Sequence, residues 1–395
     1  MKIKRHSIIA LTLMIMALTL ASRLRADNGI CGGTSVQVPF MDVQNNPFFC
    51  EIAEAFYSGL TVGTTPTTYS PTNPVPRQEM AAFVTRTLDQ SLRRGSRRAA
   101  LDQFWAPTSP DGLGLTALGV TPVSRLIRSD GADLWVANLN TNTVSRVRAS
   151  DGKLLETWTG ATAATGLVVA RGFVFITGQT SPGALFQIDP TQPPGAVTTL
   201  TSSLGNFPEG VTFDGARIWT ANIGSPGSVS IVSLNPVSVN TVTTGFNQPF
   251  GILYDGSNIW VTDFGDNKLK KLDSSGNIIQ SVTVGNGPDI PVFDGVNIWV
   301  PNNTDNTLTV VRASTGVVLA TLSGNGLSLP FAAAFDGERI LVTNTLGNSV
   351  SLWKAADLTP LGTVSTGLGS QPVGACSDGL SFWVTLSSTG QLARF

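Results

Sequence analysis

Histidine is almost absent from this chain. The one copy, His6, lies among the first residues, inside a stretch that reads as an export signal, so the mature protein would carry none. That removes the usual general base near neutral pH and the commonest imidazole metal ligand. Charge is scarce as well: 13% of residues, with a net charge of −1. No basic field is available for nucleic acid and no acidic one for a basic partner. Cysteine is limited to Cys31, Cys50 and Cys376. In an exported chain Cys31 and Cys50 are a disulfide candidate, closing a small loop worth ~3 kcal/mol. Cys376 reads as a buried free thiol on an inner strand, with no mature histidine to activate it. There is no Ser-centred nucleophile elbow, paired-Cys zinc site, phosphate loop or Asp-x-Asp-x-Asp-Gly calcium loop. The long apolar run, Ile8 to Ala21, is short for a membrane span. Preceded by Lys2, Lys4 and Arg5, it makes residues 1–26 a secretory signal, cut after Ala21 or Ala26. Arg23 and Arg25 just beyond it also fit an uncleaved anchor.

What is abundant is turn and strand chemistry. The 395 residues include 41 Gly, with many Thr, Ser, Asn and Val, which favours strands and tight turns over long helices. A ten-residue stretch recurs. It reads Phe335-Asp336-Gly337-Glu338-Arg339-Ile340-Leu341-Val342-Thr343-Asn344, with further copies opening at Phe213, Tyr254 and Phe293. Weaker copies start at Asp130, Arg171 and Asp378, giving seven units spaced 39 to 43 residues apart. A period near 40 with several short strands per unit predicts a seven-bladed β-propeller over 112–395. Each unit reads as four strands, with Asp-Gly as the turn between the first two. The last repeat stops at Phe395 after its third strand. Gly114 to Val120, ahead of the first repeat, is expected to supply the missing fourth and close the ring. The Trp column (Trp135, Trp219, Trp260, Trp299, Trp383) is expected to pack between sheets.

The region before the repeats differs. Phe49, Ile52, Ala53 and Phe56 fall at helix spacing, and Met80, Phe83, Val84, Thr87 and Leu88 mark a second amphipathic helix. Phe40, Asp42, Val43, Gly59, Gly63, Tyr69, Pro71, Arg77 and Glu79 appear in the order of an S-layer homology module, which residues 38–92 resemble. Pro76 stands where that family has Thr, and the chain has one copy where the family often has three. The resemblance implies attachment to cell-envelope polysaccharide, with Arg77 and Glu79 near the contact. Residues 93–111, with Arg93, Arg94, Arg97 and Arg98, read as a linker. The repeats, through Ile340 to Asn344 and the Ile-Trp-Val variants, resemble the YVTN family of β-propellers. More distantly they resemble virginiamycin B lyase and lactonase-type propellers. Lyases of that type use histidines, which the mature chain does not offer.

Propeller ligands sit over the central channel. Candidates there are Asn138, Asn222, Asn302 and Asn344 from the loops after the second strands, with Glu209, Asp263, Asp266, Asp289 and Asp305 as the carboxylates. The alternative for all of them is turn chemistry. A Ca²⁺ site built from Asp263, Asp289 and Asp305 would have the right donor type. The sequence therefore leads to an exported, envelope-associated, monomeric propeller, binding or scaffolding rather than catalytic. The other reading is a metal-dependent lactonase or lyase.

Overall fold

The computed structural model describes residues 26–94, 114–117 and 123–395. The signal segment and most of the 93–111 linker lie outside these residues. The chain forms two compact units, the smaller ending its N-terminal stretch at Asp89.

The smaller unit opens with a hairpin, β1 (Asp27–Cys31) and β2 (Thr34–Val38), in register from Asp27↔Val38 to Cys31↔Thr34. Helix α1 (Phe49–Tyr57) follows, with Phe49, Ile52, Ala53 and Tyr57 buried. Cys31 and Cys50 are joined by a disulfide that ties hairpin to helix. The hairpin, which precedes residue 38, falls in the same compact unit as α1. Asp27 is buried because its carboxylate accepts the Val43 and Gln44 amides at 2.8 and 2.7 Å. Asp42 does the same for Tyr69 and Ser70 at 2.8 and 2.7 Å. Phe40 is fully buried against Phe56 and Tyr69, with ring centroids 5.4 and 5.3 Å apart. Gly63 has φ +80°, and a Cβ there would meet the Phe40 ring and the Thr68 carbonyl. Helix α2 (Arg77–Arg94) begins at Arg77, with Glu79 in its first turn and both side chains exposed. Met80 and Val84, expected on a packed face, are 51% and 61% exposed.

The larger unit is a seven-bladed β-propeller. Its four-stranded sheets come in sequence order, each with strands a to d running outward from the axis. The innermost strands a are Ser124–Ser129, Ala164–Ala170, Pro208–Phe213, Pro249–Tyr254, Val292–Phe293, Pro330–Phe335 and Pro372–Ser377, in blades 1 to 7. Blade 7 takes its strand d from Gly114–Ala117, which pairs antiparallel with Gln391–Arg394. The ring is thus closed by joining the two ends of the domain, as the truncated last repeat required.

The Asp of each Asp-Gly turn explains the repeat. One carboxylate oxygen of Asp255 accepts the amides of Ser257 and Asn258 at 2.8 and 2.6 Å, and the other accepts the Trp260 indole N–H at 2.7 Å. Trp135, Trp219, Trp299 and Trp383 bond Asp130, Asp214, Asp294 and Asp378 in the same way at 2.7–2.9 Å. A buried indole needs a partner for its N–H, and the turn provides it. A cation covers several of these rings: Arg146, Arg217, Lys271 and Arg394 lie 5.0–5.3 Å from the centroids of Trp135, Trp219, Trp260 and Trp383. In blade 6, where Leu341 replaces Trp, the second carboxylate oxygen of Asp336 takes Arg339 Nε at 2.9 Å.

Candidate functional site

Each strand a other than the short one in blade 5 carries a one-residue bulge. Pro208 pairs with Asn222 but Val211 pairs with Thr220, leaving one extra residue on the inner strand. The same shift occurs in blades 1, 2, 4, 6 and 7. A bulge bends the strand and re-aims a side chain. Here it stations one residue of each bulged strand at the axis, namely Arg125, Thr165, Glu209, Phe250, Phe331 and Val373, and Asp289 takes the equivalent position in blade 5. Their contacts skip blades, which is possible only across the channel. Arg125 of blade 1 bonds both oxygens of Glu209 of blade 3 at 3.2 Å. Its guanidinium lies 5.7 Å from the Phe331 ring of blade 6. Phe331 meets Phe250 of blade 4 edge to face at 5.8 Å.

In four blades a threonine on strand b stabilises the bulge and locks it to the next blade. Thr262 Oγ1 accepts the Gly251 amide at 2.8 Å and donates to the Asp289 carbonyl at 2.8 Å. Thr177, Thr343 and Thr385 do the same towards the carbonyls of Glu209, Val373 and Arg125. The site's backbone is therefore held from two blades at once.

Outside this inner ring lies a second, set by the residue that follows strand b: Leu139, Gln179, Ile223, Phe264, Asn303, Thr345 and Ser387. All but the buried Ser387 are partly exposed. Gln179 donates to Glu209. Asn303 reaches Asp289 Oδ2 at 3.5 Å, and Phe264 stands 6.5 Å from Phe250. Beneath the rings, one apolar cluster joins Leu126 and Leu167 of blades 1 and 2 to Ile290 and Ala332 of blades 5 and 6, with Phe250 and Phe331 packed on it. This packing puts an apolar floor under the two rings, which together make up the mouth, or cup.

Burial controls the electrostatics of the cup. It raises the carboxyl of Glu209 above its usual range, opposed by Arg125. It raises Asp289 well above the usual carboxylate range. Arg125 opposes that shift, and Glu209 adds to it. Asp289 is 2% exposed, and its Oδ1 has no hydrogen-bond partner.

The remaining sequence candidates fall elsewhere. Asn138, Asn222, Asn302 and Asn344 sit one residue before the outer ring, so strand alternation turns them away from the mouth. Each is buried and donates to two hydroxyls of its own strand c, as Asn344 does to Ser349 and Ser351 at 3.2 and 2.7 Å. In blade 4 the corresponding pair is Asp263 and Lys270. Lys270 Nζ bonds Asp263 and the Gly245 carbonyl at 2.7 Å each, and also bonds Asp266. Asp263 accepts two further amides, from Asn247 and Gln248, at 2.9 Å. Asp305 accepts from Asn286 in an exposed turn. Asp263, Asp289 and Asp305 are not brought together, and no cluster of three metal-ligating side chains is found among the described residues. Cys376 is a buried free thiol, pushed up to about 12 by burial. Arg125, Gln179, Phe250, Phe264, Asn303 and Phe331 went unread in the sequence. The usable signal was positional: the residue after the connector proline and the residue after strand b.

Structural comparison places this ring of blades among known folds. A streptogramin B lyase structure matches with a TM-score of 0.59 at 15% identity, over 72% of this chain and 96% of that one. The virginiamycin B lyase of Staphylococcus aureus matches at 0.61 and 15%, over 72% and 98%. Hydrazine synthase of Kuenenia stuttgartiensis matches at 0.59 and 17%, over 70% and 96%. The likeness is one of fold. Neither a family profile nor a curated protein matches the chain.

Proposed function

We propose that this protein is an exported, cell-envelope-associated β-propeller that binds a ligand at one channel mouth, a binding or scaffold protein rather than an enzyme. The observation that carries the reading is the pair of rings at the mouth. Two concentric rings, one residue per blade in each, surround a floor filled by Leu126, Ile290 and Ala332. Small-molecule sites combine apolar and aromatic side chains with a few placed polar groups in the same way. The Cys31–Cys50 disulfide supports export, because disulfides persist in oxidising compartments. The exposed Arg77 and Glu79, at the start of α2, are open to an envelope polysaccharide, as the S-layer homology resemblance implies. For the lactonase or lyase alternative, two of the carboxylates are already committed: Glu209 to Arg125 and Gln179, and Asp263 to Lys270.

The test has two arms. Full-length protein and a chain lacking residues 27–92, expressed in the native host, are fractionated. Retention of the first with release of the second is expected, and equal release of both would overturn the attachment. Native mass spectrometry of the full chain and of Phe264→Ala then reads the mouth. A co-purifying small molecule lost in the variant is expected. One bound equally by both would place the ligand outside the cup.

A further inference from the structure

Asp289 is unlike the other acids of the propeller. Glu209 is zipped to Arg125 and Gln179, and Asp263 to Lys270 and two amides. The turn acids bond amides and indoles. Asp289 Oδ1 has no partner in a residue that is 2% exposed, and the carboxyl is met only by the Ile290 amide and, on Oδ2, by a long contact from Asn303 at 3.5 Å. An unpaired buried carboxyl is costly and is rarely retained for packing. Its position is fixed from two sides. The Asp289 carbonyl accepts from Thr262, and its amide donates to the Pro301 carbonyl at 2.9 Å.

Aromatic rings stand on either side of it in the inner ring. Phe250 of blade 4 and Phe331 of blade 6 meet edge to face, and Phe264 adds a third ring beside Phe250. The face of an aromatic ring attracts a cation, and this cluster already holds one, since the Arg125 guanidinium lies against Phe331. Arg125 is spent on Glu209, so the carboxyl of Asp289 is left for a charge brought from outside.

We infer that the cup takes an organic cation, its ammonium or amidinium group paired with Asp289 and lying among Phe250, Phe264 and Phe331. This deepens the binding role proposed above and rests on it. The charged groups facing Asp289 are Arg125 of blade 1 and Glu209 of blade 3. With no ligand, burial favours the neutral carboxyl. A cation favours the carboxylate, so binding expels a proton from Asp289. Affinity then rises with pH, by about tenfold per pH unit at the steepest, and levels off once the unliganded group has ionised. A neutral ligand that accepts a hydrogen bond from the protonated carboxyl would show the opposite slope.

The full chain is titrated calorimetrically with choline, benzyltrimethylammonium and putrescine, and with 3,3-dimethylbutan-1-ol as the neutral isostere of choline, from mildly acidic to mildly alkaline pH. The expected result is preferential binding of at least one cation, tightening as pH rises, with proton release that scales with the ionisation heat of the buffer. Asp289→Asn should abolish both the preference and the slope. Phe331→Leu should weaken the cation severalfold and leave the slope in place. Failure of every cation to bind at millimolar concentration, equal binding of choline and its isostere, or unchanged cation binding in Asp289→Asn would each overturn the inference. A neutral small molecule found in the native mass spectra and lost in Phe264→Ala would keep the cup as a ligand site while removing the cation.

Discussion

At the residue scale, the cost of Asp289 is measurable without any ligand. Burial makes its carboxyl titrate at a higher pH in the fold than in the unfolded chain. Between those two values the native state binds more protons than the unfolded one, so stability falls as pH rises through that window. Below both values the penalty is gone, because both states are protonated. Asp289→Asn removes the titration and keeps the shape. We expect it to stabilise the protein at neutral pH by about 1–3 kcal/mol, because the amide stays neutral and the cost of ionising a buried carboxyl is removed. The gain should shrink towards pH 4. Thermal melts of both proteins across pH would check this, and a variant less stable at neutral pH would contradict it. Little of this residue's role was legible in the sequence. Asp289 stood there as one of several loop carboxylates, and nothing in its neighbours says that its oxygens are unpaired.

At the element scale, blade 4 replaces a neutral contact with a charged one. Four blades close strand b on strand c through an Asn and two hydroxyls, whereas blade 4 uses Asp263 with Lys270, 0% and 3% exposed. Breaking one side of a buried pair strands the other charge, at about 3–5 kcal/mol. Asp263→Asn and Lys270→Ser should each destabilise on that scale. The double variant, which brings back the Asn and one of the two hydroxyls of the neighbouring blades with Lys268 left in the place of the other, should recover most of the loss. A double-mutant cycle in urea measures the coupling, and additive losses would show that the two side chains do not act as a pair. The alternation of strand b also explains the misplaced Asn candidates. A shift of one residue along a strand moves a side chain to the opposite face, so Asn302 packs inward where Asn303 reaches the cup. The motif was visible; its orientation was not, because the bulge on strand a sets which residues meet the axis.

At the scale of the whole molecule, ring closure depends on Gly114–Ala117 pairing with Gln391–Arg394. A chain lacking Gly114–Ala117 leaves strand c of blade 7 as an open edge and unties the ends of the ring. We expect a lower melting temperature, a broader transition and concentration-dependent association, because an unpaired edge recruits other strands. Melting and light scattering compare the two proteins. An unchanged sharp transition would show that the other blades hold the ring without this closure.

The sequence by itself determined the seven-fold repeat, the Asp-Gly turns, the strand order within each blade and the need for a strand from the N-terminal side. These are local: turn chemistry, period-two strands and a count that comes out one strand short. The Cys31–Cys50 pairing was also readable, because few cysteines were present. The tertiary structure alone decided which residues face one another across the channel. Arg125 and Glu209 are 84 residues apart, and only the circular arrangement of blades brings them to 3.2 Å. It also decided that Asp263 is paired and Asp289 is not. Those are properties of a cup assembled from seven strands, with each blade contributing one residue whose partners lie in blades that the chain reaches much later.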